Sequence, residues 1–495
     1  SSCQLSSQSG HLVVPMSQNA HVHPLLVAAI KSEYIRALAC KELLQQAAAS
    51  PAEPVLSAKV HMLRCETYAA FPEFISGSLS IQQLLVRMFD SEELVEKALR
   101  LAWADTRCFE TVADGAAPQF KGLDCTNDFG VADSQPLNVA LIGCGQMGRA
   151  HGINAALDPS YRVTWAVDIN KVSAEKLAAM PVFADAPPHV STDYREALAD
   201  MKLDAVLVLT PPSTHKDIAG AALQAGKHVC CEKPMCLLEE DAAELVKMCD
   251  STSSNLVFLL AYPRRFGIDD HKIIHTIRTT LGQPVFYRDI WAIVKGHISE
   301  IIHEESGGGG LLFENSHTID SYNMTFGKPV KVFAIADKFK PDLRGTRAKD
   351  TYMLTIFYES GDKVVFSSSW AAPGIGDRPW QPYGRLIRPV MDVVGPQGLL
   401  HYPAEDPDFK DEYVIYSGAE EYNEVERFVV RNDHGSGFHR ELKHFHECIR
   451  GRETTLCGAR DGAAVLAIIH AAHRSAESGV PEPVCLPFDR PNSQV

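Results

Sequence analysis

The sequence predicts an α/β protein in three parts: a helical N-terminal extension, a parallel sheet wound with helices on both faces, and a C-terminal α+β domain with a large, mostly antiparallel sheet. Three observations carry this reading. Between residues 137 and 261, short continuous apolar runs alternate with helical stretches, the pattern of parallel strands buried on both faces. The first run leads straight into Gly143-Cys144-Gly145-Gln146-Met147-Gly148. After about residue 282 the apolar stretches alternate in polarity or are β-branched, and Glu359-Ser360-Gly361-Asp362 joins two of them as a hairpin turn.

The elements follow in order. Leu26, Ile30, Tyr34 and Leu38 recur at helical spacing, and Ser80 with Gln83 and Asp90 with Glu93 read as capping boxes. Residues 113–136 are polar, with scattered Gly and Pro, as in a linker. The expected boundaries are 1–135 for the extension and linker, 136–262 for the dinucleotide-binding domain and 263–495 for the C-terminal domain. Strands are expected at Leu137–Ile142, Val163–Val167, Ala205–Leu209, His228–Cys231 and Leu256–Ala261, with helices at Ser173–Ala179 and Ser213–Ala225 between them. Further strands are expected at Val285–Val294, Val330–Ala336, Tyr352–Tyr358, Val364–Trp370 and Val390–Val394, and closing helices near Arg440–Ile449 and Ala459–Ala476.

Composition narrows the class. Hydrophobic residues make up 45% and charged residues 22%, as in globular proteins. The net charge is −15, so a basic footprint for nucleic acid is missing. No apolar run approaches the roughly 18 residues of a membrane span. The 13 cysteines are scattered without a Cys-x-x-Cys pair, which reads as free thiols in a reducing compartment. A cytoplasmic location is expected. The acid-poor start, with Glu33 as the first carboxylate, leaves an organellar targeting remnant as the alternative.

The glycine motif G-x-G-x-x-G follows a strand and opens a helical stretch, the context in which it binds a dinucleotide. Gly143 permits the tight turn, Gly145 the approach of a pyrophosphate, and Gly148 close helix packing, with Gln146 and Met147 opening the helix whose amides face the phosphates. Asp168 ends the next strand, 20 residues after Gly148. A carboxylate there accepts bonds from both ribose hydroxyls and repels a 2′-phosphate, favouring NAD, with NADP as the alternative through Asn170-Lys171. The third strand ends in Thr210-Pro211-Pro212-Ser213-Thr214-His215, at the sheet edge where ligands bind; for His215, cofactor contact and a place at the helix cap are both open. The fourth ends in Glu232-Lys233-Pro234. A lysine there stands beside the nicotinamide, where burial and the nicotinamide charge favour its action as a base.

Several ordered pieces together resemble the Gfo/Idh/MocA family of oxidoreductases, named for glucose–fructose oxidoreductase and inositol dehydrogenase. They are VALIGCGQMGRAH at 139–151, VLTPPSTH at 208–215, AGKHVCCEKPM at 225–235, YPRRF at 262–266, GGGGLLFENSHTID at 307–320, VVGPQGLL at 393–400, RELKHFHECIRG at 440–451 and AHRSAESG at 472–479. The resemblance implies a Rossmann domain, a C-terminal α/β domain whose open sheet face serves homo-oligomerisation, and hydride transfer between NAD(P) and a sugar, inositol or related polyol. It implies Lys233 as the catalytic lysine, Glu232 as a shaper of the cofactor and substrate pocket, and His317 as the catalytic histidine within His-x-x-Asp-x6-Gly, kept by Asp320 and Gly327. Arg264 and Arg265 resemble the family's arginine pair, one near cofactor or substrate and one in a structural ion pair; Arg265 is expected at the substrate.

One position departs. The family commonly has a carboxylate four residues before the histidine, where this chain has Phe313. Glu314 is either its displaced equivalent or a bystander, and Asn315 is a candidate substrate ligand. No metal site is expected: His439, His444 and His446 lie on a packed helix without a completing shell. The segment holding His297 and His303 reads as a flap or a solvated loop. Two other functions compete with a dehydrogenase: a redox-neutral glycosidase that uses NAD transiently, and a non-catalytic dinucleotide-binding regulator, for which the N-terminal extension offers a partner-binding surface.

Overall fold

The computed structural model describes residues 136–158, 160–184, 186–251, 256–293, 310–340, 348–371, 385–402, 412–417, 423–429 and 434–488. The N-terminal extension expected to be helical and the His297–His303 segment lie outside them.

The first sheet has six parallel strands: β1 (Leu137–Ile142), β2 (Tyr161–Val167), β3 (His189–Ser191), β4 (Ala205–Val208), β5 (His228–Glu232) and β6 (Phe258–Ala261). Their order, β3-β2-β1-β4-β5-β6, reverses between β1 and β4, which opens a crevice at the strands' carboxyl ends. The helices between strands are α1 (Gln146–Leu157), α2 (Lys171–Ala178), α3 (Tyr194–Leu198), α4 (His215–Gln224) and α5 (Glu239–Ser251). β4 and β6 are buried at every position, which is why both read as unbroken apolar runs rather than alternating ones. The sequence misses β3, whose three residues are too few for a periodic signal.

Among the described residues the second sheet has nine strands. It is built from β7 (Phe286–Ile293), β8 (Pro329–Asp337), β9 (Thr351–Tyr358), β10 (Lys363–Ser369), β11 (Arg385–Gly395), β12 (Gly398–Tyr402), β13 (Glu412–Ser417), β14 (Asn423–Val429) and β15 (Glu482–Pro483). All its pairings are antiparallel except β7 with β10. β9 alternates buried and open residues because one face packs on helices and the other does not. The helices of this part are α6 (Ile268–Thr280), α7 (Leu311–Glu314), α8 (Ser316–Phe326), α9 (His434–Ile449) and α10 (Ala459–Ser478). The sequence reads this domain's long strands and both closing helices, and misses β12 to β15.

Helix α10 joins the two sheets. Its Ala463–Ile469 stretch is in the core, His470 Nε2 bonds the Leu237 carbonyl at 2.8 Å, and Arg474 pairs with Glu239 at 2.9 Å. Leu237 and Glu239 follow Lys233 closely in the chain, so this packing fixes the β5–α5 connection against the second domain.

Candidate active site

The crevice begins at Gly143. Its φ of 101° favours glycine, and a Cβ would lie 2.5 Å from the Leu209 carbonyl oxygen. At Gly148 a Cβ would lie 2.1 Å from the Gly143 oxygen, so the start of α1 rests on the turn itself. Gly145 differs: nothing lies within 4 Å of a Cβ built there. Its missing side chain leaves open a space at the helix N-terminus, flanked by exposed Gln146 and half-buried Met147. Asp168 closes this corner. Its Oδ2 accepts from the Cys144 N–H and its Oδ1 from the Asn170 N–H, both at 2.8 Å. Two backbone donors therefore hold the carboxylate beside the glycine turn, while Ile169, 95% exposed, offers an apolar surface next to it. Open space, free first-turn amides and a fixed carboxylate fit the pyrophosphate and ribose of NAD.

This geometry separates two glycine substitutions. Gly145→Val is expected to weaken NAD binding at least tenfold while shifting Tm by less than about 4 °C, since its Cβ meets no protein atom. Gly148→Val is expected to lower Tm well beyond that. Titration of NADH fluorescence and a thermal melt check both, and wild-type cofactor affinity in Gly145→Val would remove the pyrophosphate from this space.

Strand β5 delivers Glu232 and Lys233. Glu232 is 5% exposed, and its Oε1 accepts from His151 Nε2 of α1 at 2.8 Å while its Oε2 accepts from the Lys233 N–H at 3.0 Å. Burial pushes this carboxyl up, but His151 and Lys233 outweigh it and hold it below the usual range. Glu232 thus braces the lysine's backbone from behind. Its contacts are with Lys233 and with His151 of α1. His151 and Glu441 were missed by sequence reading. Glu441 of α9 is fully buried near Glu232, and burial, then the Glu232 charge, push it well above the usual carboxyl value. A histidine three residues past a glycine motif and an acid in an amphipathic helix carry no separate signal in one sequence.

Lys233 Nζ, on a side chain 15% exposed, lies 3.1 Å from Glu314 Oε2 and 3.4 Å from the Glu314 carbonyl. The helix break at Asn315 explains the displaced carboxylate. α7 ends at Glu314 and α8 begins at Ser316, so the residue four before His317 points elsewhere. Phe313 is 4% exposed and packs on the rings of His470 and His473, with centroids 5.9 and 5.8 Å away. Glu314 and His317 are both part-exposed, whereas Phe313, Asn315, Ser316 and Thr318 are buried. His317 meets the Tyr262 ring edge-on at 5.5 Å. Because Ala261 pairs with Glu232, Tyr262 and Lys233 leave the sheet side by side, which brings His317 to the lysine's edge.

The remaining expected residues separate. Thr210 and Pro211 lie on the open edge after β4. His215 is fully buried, with Nδ1 2.8 Å from the Pro234 carbonyl and Nε2 2.7 Å from the Thr210 carbonyl, so its ring meets backbone. Arg265 and Asp320, expected at the substrate, bind each other. The guanidinium donates to both Asp320 oxygens at 2.8 and 2.7 Å and to Asp461 at 2.9 Å, and Asp320 is fully buried. Arg265 takes the structural ion-pair place, and half-buried Arg264, 3.4 Å from Thr318 Oγ1, is left on the site side. Asn315 is buried 2 residues from His317, with no partner for Nδ2 among the described residues.

His473 supports α7 from behind and titrates abnormally. Burial first, then nearby His470, Arg474 and Lys349, push it down to about 4. An unfolded histidine titrates near roughly 6.5. Between these values the unfolded chain holds more protons, so stability rises with pH and is lost as pH falls from about 6.5 toward 4. His473→Gln is expected to flatten that part of a Tm–pH curve. The slope is reduced rather than abolished, because burial also lowers His215, His228 and His271. An unchanged slope would refute this assignment.

Two family models match. One, described as an oxidoreductase family with an NAD-binding Rossmann fold, covers residues 137–259; the other, described as the oxidoreductase family's C-terminal alpha/beta domain, covers 302–486. The chain is 25% identical over 354 residues to scyllo-inositol 2-dehydrogenase (NAD+) of Bacillus subtilis, covering 69% of this chain and 94% of that protein. It is 23% identical over 358 residues to myo-inositol 2-dehydrogenase of Thermotoga maritima, covering 69% and 96%. Among solved structures it superposes on levoglucosan dehydrogenase in complex with NADH and levoglucosan, with TM-score 0.57, 20% identity and 71% and 100% coverage.

Proposed function

The chain belongs to the Gfo/Idh/MocA oxidoreductase family, and from that premise we propose that it transfers hydride between NAD and a hydroxyl-bearing carbon of a sugar, inositol or related polyol. The observation that carries this reading is the Lys233–Glu314 pair, 3.1 Å apart at the carboxyl edge of β5, in the crevice opened by the glycine turn. When bound, NAD supplies the hydride acceptor or, in the reverse direction, NADH the donor. The chain's own residues do the rest. Lys233 and His317 share the hydroxyl proton of the carbon that gives up hydride. Glu314 orients the Lys233 ammonium, and the Glu232–His151 pair holds the lysine's backbone against α1. Half-buried Arg264 supplies a donor for a further hydroxyl, and Asn315, whose buried Nδ2 has no partner among the described residues, is the candidate for another; a substrate that lacks such a hydroxyl leaves a donor unpaired and binds less well.

A screen of sugars and polyols with NAD and NADP, followed by absorbance of the reduced nicotinamide, tests this. NADH formation with a polyol, faster than NADPH formation, is the expected result, because Asp168 occupies the place a 2′-phosphate needs. Glycoside cleavage without net NADH would replace the dehydrogenase with a redox-neutral glycosidase.

Self-association is proposed through the open face of the nine-stranded sheet. Phe286, Ile335, Met353 and Val394 are 45–49% exposed there, on four strands of one sheet. Aligned apolar side chains of this kind mark an association surface. Met353→Arg is expected to lower the assembly's mass by a subunit step in sedimentation, with NAD binding retained; unchanged mass would place the interface elsewhere. Among the described residues no helix is long and apolar enough to cross a membrane.

A further inference from the structure

Strands β4 and β5 pair from Ala205 with His228 to Val208 with Cys231, and then part. Beyond that fork one chain runs into Thr210-Pro211 at the open cofactor edge, and the other into Lys233-Pro234. The backbone carbonyls past the fork have no ladder partner in the opposite strand. The His215 ring stands between them: Nδ1 lies 2.8 Å from the Pro234 oxygen and Nε2 2.7 Å from the Thr210 oxygen, and the side chain is fully buried. It stands at the first turn of α4, five residues after Thr210 in the chain and on a different element from Pro234.

We infer that His215 is a positioning residue for Lys233, holding the Lys233–Pro234 turn at the crevice through an Nδ1–H that donates to the Pro234 carbonyl. The inference rests on Lys233 as the reacting lysine. Carbonyl oxygens only accept, so both contacts together ask for two N–H groups, which only the imidazolium has. Burial opposes that charge most strongly and holds the ring below its ordinary value; of the charged groups facing it, Glu232 favours the imidazolium and Lys233 opposes it. At neutral pH the ring therefore has one N–H for two carbonyls, and it holds the Lys233–Pro234 turn when that proton is on Nδ1. A glutamine retains one N–H donor group for a carbonyl, and a leucine retains none.

The test uses the full chain with His215→Gln and His215→Leu. Three readings are taken: NAD affinity, kcat and KM for a polyol, and the rate at which trinitrobenzenesulfonate modifies Lys233 in the NAD-bound protein, followed by peptide mass spectrometry. His215→Leu is expected to lower kcat at least tenfold with polyol KM within about threefold, and to change the Lys233 modification rate by fivefold or more, with His215→Gln recovering much of both. A modification rate and kcat within twofold of wild type in both variants would overturn the inference. If His215→Leu does not fold, His215→Ala, which also lacks a donor, takes its place and decides on the same limits. The modification rate is independent of substrate, so a changed rate in a protein that turns over no polyol would keep the clamp and reject the substrate class.

Discussion

Lys233→Ala is expected to abolish polyol turnover while leaving NAD affinity within about tenfold, a scale of roughly 1.4 kcal/mol. The two effects separate because the cofactor's contacts lie elsewhere. The proposed pyrophosphate space is at Gly145, and Asp168, the proposed ribose ligand, is held by Cys144 and Asn170 backbone donors, none of which touches the lysine. What Lys233 alone provides is a movable proton, on a side chain 15% exposed at the crevice and oriented by Glu314. Lys233→Arg is not expected to rescue it, because a guanidinium does not release its proton in this pH range. Stopped-flow turnover and NAD titration on the same preparation check both halves, and wild-type turnover in Lys233→Ala would sink the mechanism.

The second large effect concerns stability. Asp320→Ala is expected to destabilise the protein by about 3–5 kcal/mol, the cost of leaving a buried charge without its partner. Arg265 donates to both Asp320 oxygens, and Asp461 accepts only at the guanidinium's outer side. Removing Asp320 strands a side chain that the short turn Pro263–Phe266 keeps buried between α8 and α10. Urea unfolding measures the loss. A loss below about 1 kcal/mol, together with a raised polyol KM, would return the pair to the substrate, where the sequence placed it.

The cofactor half of the site was legible because it is local. A strand, three glycines and a helix start are consecutive, and Asp168 follows at the end of the next strand; backbone geometry alone assigns each residue its task. The Lys233 and His317 positions were legible as motifs at strand and helix ends. Other roles were not. Arg265 and Asp320 were expected at the substrate, Arg265 from its likeness to the family's arginine pair and Asp320 from its place in the His-x-x-Asp motif; packing turns them inward. Phe313 stands where a carboxylate was expected, and Asn315 breaks the helix so that Glu314 reaches Lys233. A heptad or strand count cannot show that break, since it depends on one residue's backbone torsion.

The sequence by itself determined the six-stranded parallel sheet's main strands and the glycine turn that follows the first of them. These follow from periodicity and from side chains whose neighbours in space are neighbours in the chain. Tertiary structure alone decided which polar groups face the crevice and which brace it. Glu232 with His151, Arg265 with Asp320 and His215 with two carbonyls all join segments that are 5 to 81 residues apart. Burial requires each such group to find a partner, and the identity of that partner is set by how α1, α4, α8 and the sheet edge meet.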